Sequence, residues 1–67
     1  MNWDEVQGKW RELMGQAKQS WGKLTDDDLT EIAGQKEKLI GKLQSRYGYA
    51  KDKAEAEVTK FASNCRL

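Results

Sequence analysis

Leu24-Thr25-Asp26-Asp27-Asp28-Leu29 is the stretch that decides the fold. A threonine followed by three carboxylates reads as a helix start. The Thr25 side chain caps the first free N–H groups, and Asp26 to Asp28 fill a first turn whose positive dipole end favours negative charge. Leu24 and Leu29 stand at the two hydrophobic-staple positions around that cap. Downstream, Leu29, Ile32, Leu39, Ile40, Leu43 and Tyr47 fall at helical spacing, with Gly34 placed to split the run into a short helix and a longer one. The three aspartates also offer oxygens to a cation. The acceptors that a calcium loop spreads over about twelve residues are missing, however, and a helix start is the reading taken.

Upstream, a first helix is predicted from Trp3. Asn2 is its N-cap, and Glu5 completes a capping-box pattern. Trp3, Val6, Trp10, Leu13, Met14, Ala17 and Trp21 then follow in steps that make one apolar stripe. Downstream, Arg46-Tyr47-Gly48-Tyr49 reads as a helix end and a turn, with Gly48 able to take the left-handed conformation. A last helix is predicted from about Ala50 to Ser63, with Ala54, Val58, Phe61 and Cys65 as its stripe. Lys51–Glu55 and Lys53–Glu57 stand at the i,i+4 spacing of helical ion pairs.

The two stripes repeat one another. Shifted by 26 residues, Asn2–Gly22 lies on Asp28–Gly48: Trp3 meets Leu29, Val6 meets Ile32, Gly8 meets Gly34, Leu13 meets Leu39, Gly15 meets Gly41, and Trp21 meets Tyr47. Glycines thus recur every seven residues in each copy, on the side away from the stripe. Glycine inside a helix costs about 0.8–1.0 kcal/mol relative to alanine. These glycines therefore either break the helices or admit another backbone, and breaks are the reading preferred. Two similar helical units packed face to face follow. Lys36 stands where the first copy has Trp10, so it must reach outward to the edge, or the helix phase changes at Gly34.

Sixty-seven residues make one domain, 1–67. A core this small supports about 3–5 kcal/mol of net stability without staples. A single cysteine forms no intrachain disulfide, and there is no histidine to help build a zinc site. Hydrophobic residues are 37% and charged residues 34%, a balance near the border between a marginal globule and a chain that folds in context. The three tryptophans favour the globule. Net charge is +1, which gives no general pull toward nucleic acid or membrane. The distribution is uneven: residues 1–33 hold four basic and seven acidic residues, and residues 34–67 hold eight basic and four acidic. The halves can attract each other within one molecule, or head to tail between molecules. No apolar run is long enough for a secretory core or a membrane span, and the expected location is the cytoplasm.

The chemistry on offer is sparse. Without histidine there is no histidine-based acid, base or metal ligand, and neither glycine-rich phosphate-cradling pattern occurs. No catalytic, cofactor-binding or metal residue is assigned. Cys65 reads as a small half-packed hydrophobe near the chain end. Trp3, Trp10 and Trp21 share one helical face and read as core, with Trp3 and Trp21 near helix ends and partly exposed. The candidate interaction face is Lys38, Lys42 and Arg46, a ladder at i, i+4 and i+8, joined by Tyr47, Tyr49, Lys51 and Lys53. It is a candidate for nucleic acid or another anionic surface. Glu37 and Asp52 nearby, and the small net charge, weigh toward a solvated face instead.

Trp21-Gly22-Lys23-Leu24-Thr25-Asp26-Asp27-Asp28, Gly41-Lys42-Leu43-Gln44, Arg46-Tyr47-Gly48-Tyr49, Lys51-Asp52 and Ala54-Glu55 together resemble the CsbD-like family of small bacterial stress-response proteins. The resemblance covers nearly the whole chain. It implies a bacterial cytoplasmic protein made under general stress or in stationary phase. It also implies an all-α fold, a compact bundle of about four short helices arranged as two packed hairpins with approximate duplication. It supplies no catalytic or binding residues and no cofactor. The expected role is non-enzymatic, acting on an unknown macromolecular partner or by weak self-association. The alternatives are a nucleic-acid-binding module using residues 38–53, or a hydration-type protectant that becomes helical when water is scarce.

Overall fold

A computed structural model describes residues 1–65. Five helices follow one another: α1 (Trp3–Gly8), α2 (Trp10–Ser20), α3 (Asp26–Ile32), α4 (Lys36–Tyr47) and α5 (Lys51–Asn64). No strand occurs among the described residues. The all-α bundle is as expected. The fifth helix arises because the first apolar run is interrupted at Lys9, so that its opening turn and a half stands apart as α1.

Both capping boxes form. Asn2 Oδ1 accepts from the Glu5 N–H at 2.9 Å, and Glu5 Oε1 accepts from the Asn2 N–H at 3.2 Å. Thr25 Oγ1 accepts from the Asp28 N–H at 3.0 Å, and Asp28 Oδ2 returns the favour to the Thr25 N–H at 3.1 Å. Each box satisfies two backbone donors that a helix start otherwise leaves open. The staple residues Leu24 and Leu29 are both buried.

Helices α1 and α2 form one unit, and α3 and α4 the other. The break differs between them. At Lys9 (φ −113°) the backbone N–H still reaches Glu5 O at 3.0 Å, so the first unit only bends. In the second, Ala33 and Gly34 both take positive φ, 51° and 78°, and the chain turns before α4 restarts. Lys36 therefore sits in a new first turn and points to solvent, while its counterpart Trp10 is buried. The duplication is approximate in a second respect. Asp28 is the third residue of α3, whereas its repeat partner Asn2 is only the cap of α1.

Two contacts join the units in the interior. Trp10 Nε1–H donates to Leu29 O at 2.9 Å in the interior. Gly34 lies against α1 so closely that a Cβ there would stand 2.8 Å from Gln7 Cα and 3.1 Å from Trp10 Cβ. Helix α5 packs along α4 and closes the core from the other side, with Ala54, Val58 and Phe61 inward. Phe61 meets Trp21 with ring centroids 4.9 Å apart. Trp21 is consequently buried, not partly exposed as its place near a helix end suggested. Trp3 is half-buried against the core, its indole N–H without a partner among the described residues. Cys65 caps α5 and is buried, which raises its thiol pKa by desolvation.

The glycine reading is thus half corrected. Gly8 and Gly34 mark breaks, and Gly34 is also a close approach. Gly15 and Gly41 lie inside α2 and α4, exposed, with open space where a Cβ would sit. They are neither breaks nor contacts in the folded chain. Gly15→Ala and Gly41→Ala are expected to stabilise the protein by about 0.8–1.0 kcal/mol each. In a thermal melt each raises Tm by roughly 4–8 °C. A fall in Tm for either would mean that its helix face is covered in solution.

A candidate interaction surface

The predicted basic ladder is split by Asp28. This carboxylate is 3% exposed. Arg46 grips it from α4 with two parallel hydrogen bonds, Nε to Oδ2 and Nη2 to Oδ1, both 2.9 Å. Lys42 Nζ stands 3.3 Å from Oδ1 and 3.2 Å from Glu31 Oε2. A planar guanidinium matches a carboxylate in two bonds at once, and charge makes each bond stronger. The Arg46 hydrogen bonds, with the Thr25 N–H second, hold the Asp28 carboxyl far below the ordinary carboxylate range, against the opposing effect of its burial. The Glu31 and Asp28 carboxylates raise Lys42, and Asp28 raises Arg46. The i,i+4 cations repel in an isolated helix, but here they share a buried anion from the neighbouring helix.

Two of the three aspartates thereby have assigned partners. Asp28 turns inward as cap and ion-pair centre. Asp26 meets Lys18 at 2.9 Å, a pair largely in water and worth little. No group of three metal-ligating side chains is assembled among the described residues.

Lys38 stays exposed, beside an open depression of about 310 Å³ over Gly41 and Ser45. The remaining members of the predicted face come together at the far end of α4. Tyr47 and Tyr49 are half-buried and stack, centroids 5.1 Å apart and planes 20° from parallel. Lys53 Nζ lies 5.3 Å over the Tyr49 ring, and Lys23 Nζ lies 5.2 Å over the Tyr47 ring. The Lys23 backbone N–H also donates to Tyr47 Oη at 3.2 Å. Lys51 is exposed two residues beyond Tyr49. The expected Lys51–Glu55 and Lys53–Glu57 pairs are not among the ion pairs of the described residues. Lys53 faces the tyrosine instead, where ring electrons attract it without desolvating a carboxylate.

Lys23 and Asp28 were absent from the predicted face. Lys23 was within reach of the repeat, since a shift of 26 lays it on Tyr49, so both follow the glycine that ends a unit. Asp28 carried no such signal, because its helix-start role already accounted for it.

Fold and surface together define a small all-helical protein of two related units. Its strongest ion-pair cluster serves packing, and two lysines held by no carboxylate among the described residues, Lys23 and Lys53, flank an aromatic pair. A family model described as CsbD-like matches residues 4–56. A protein of Protochlamydia amoebophila is 53% identical over 66 residues, covering 98% of this chain and 100% of that one. The UPF0337 protein YjbJ of Escherichia coli K12 is 57% identical over 58 residues, 87% of this chain and 84% of its own. A Pectobacterium atrosepticum protein is 55% identical over the same shares. The chain belongs to the CsbD-like family. No helix among the described residues is long and apolar enough to cross a membrane.

Proposed function

We propose that this chain is a non-enzymatic stress-response protein of the bacterial cytoplasm that acts by binding another macromolecule through Lys23, Tyr47, Tyr49, Lys51 and Lys53. The observation that carries the reading is the division of its charges. Asp28, Lys42 and Arg46 satisfy one another in a structural role. Lys23, Lys51 and Lys53 are exposed and held by no carboxylate among the described residues. The same division argues for a foreign partner over self-association. The opposite charges of the two halves meet inside one molecule, where Asp28 and Glu31 face Lys42 and Arg46, which removes much of the motive for head-to-tail assembly.

The test is a proton–nitrogen correlation spectrum of labelled protein, alone and with bacterial nucleic acid, soluble protein and lipid vesicles added in turn. Shifts confined to residues 22–24 and 46–53 with one fraction are the expected result. A spectrum that moves with none of them sinks the reading. One that moves on dilution of the protein alone returns the choice to self-association.

A further inference from the structure

We infer that the lysine–tyrosine–tyrosine–lysine stack is a binding site for single-stranded nucleic acid, an inference that rests on the interaction reading above. Four observations converge on it. Lys23 comes from the loop after α2, and Tyr47, Tyr49 and Lys53 come from the joint between α4 and α5, so residues 30 apart in sequence build one continuous stack. The two rings stack on each other, both are half-buried against the core, and each has an ammonium just over 5 Å from its centroid. Lys51 adds a third cation alongside. Helix α5 starts at Lys51 with Ala50 as its N-cap and no side-chain cap, so its first-turn N–H groups remain open to an anion. Asp52 is the opposing charge in that turn.

A single strand matches this arrangement because it offers unpaired base faces and a phosphate at each step. A base takes the place of an ammonium over the exposed part of a tyrosine ring, and the displaced ammonium moves to the adjacent phosphate. The lysine thereby exchanges a weak contact with a ring for an ionic one, and the ring exchanges a cation for a larger flat surface. Duplex DNA keeps its base faces stacked internally and can use only the cations. The aromatic pair is therefore what sets the preference, and it distinguishes this end of the molecule from a surface that is merely positive.

Fluorescence anisotropy at about 50 mM salt, where phosphate contacts are strong, compares a labelled oligothymidylate, a duplex of equal length and inorganic polyphosphate. The single strand is expected to bind at least about tenfold more tightly than either competitor, as stacking on an aromatic side chain allows. Tyr49→Leu is expected to lower its affinity about tenfold, and Tyr49→Phe to retain it. With three phosphate contacts the log–log salt slope is expected near −2, and Lys53→Gln, at an exposed position, flattens it by about 0.7. Equal binding of all three probes, unaffected by Tyr49→Leu, overturns the inference and leaves a plain cationic interaction surface. No binding of any probe overturns it as well. The fraction titration then decides separately for the broader reading: shifts at the same residues with soluble protein preserve it, and no shifts end both.

Discussion

Gly34→Ala is expected to melt about 10–30 °C below the native protein, because two penalties fall on one small core. The residue holds φ at 78°, in the left-handed region that an alanine enters at a cost of about 1–2 kcal/mol. Its missing side chain also makes room for α1. An added Cβ meets the Gln7 Cα at 2.8 Å, and backbone cannot swing aside as the tip of a side chain can. Overpacking of this kind costs about 1–3 kcal/mol. The reduced freedom of the unfolded alanine chain returns about 0.4–1 kcal/mol. The remainder is a large share of what a chain this size holds in reserve. The damage also reaches the point where the two units meet, since the Trp10 Cβ lies 3.1 Å from the same added atom and the Trp10 indole bonds across to Leu29 O. Thermal melts followed by circular dichroism check this, with Gly41→Ala as the control of opposite sign. A Gly34→Ala protein melting with the native one would mean that α1 does not approach the turn in solution.

The contrast between these two glycines shows where sequence reasoning stops. Both recur at the same seven-residue spacing on the same side of the stripe, and although Gly34 stands where the helical run can split, nothing in the sequence shows that a second helix lies against it. Their difference is tertiary: Gly34 faces a neighbouring helix and Gly41 faces water. What was legible was local or periodic. The Asn2 and Thr25 caps, the Gly48 helix end and the inward stripe depend on a few adjacent side chains or on a 3.6-residue period, and all are found where the chain places them. The interaction face was legible only as composition. Its tyrosines and lysines are adjacent in sequence, whereas the two facts that reshape it come from far along the chain. Lys23 arrives from the other unit, and Asp28 takes two members of the basic ladder away. Charge patterning along one helix gives no view of an anion delivered by another.

Asp28→Asn keeps the shape of the side chain and removes its charge. It is expected to lower Tm at neutral pH by about 10 °C or more, since breaking a buried, doubly bonded ion pair is strongly destabilising. Three partners lose a carboxylate together: the Arg46 guanidinium by two bonds, Lys42, and the Thr25 N–H. One amide group cannot accept from all of them, and its own N–H would point at a cation. The pH dependence gives the sharper test. The folded Asp28 pKa lies well below its ordinary 3.8, so the folded state prefers the ionised form. The stabilisation is therefore present above about pH 3.8 and is lost as pH falls below it, because the unfolded chain takes up the proton first. The native protein should lose Tm on acidification more steeply than Asp28→Asn, and the gap between them should narrow toward pH 2, roughly the limit where even a strongly paired carboxylate begins to protonate. The other carboxylates titrate in both proteins, so the difference isolates this one. Arg46→Met closes the cycle: alone it leaves Asp28 buried with Lys42 as its remaining cation, and in the Asp28→Asn background it should cost much less. Parallel acid curves for native and Asp28→Asn, together with additive single and double substitutions, would show that Arg46 and Lys42 are not committed to Asp28. They would then rejoin Lys38, Lys51 and Lys53 as cations available to a partner, and the interaction surface would extend along the whole of α4.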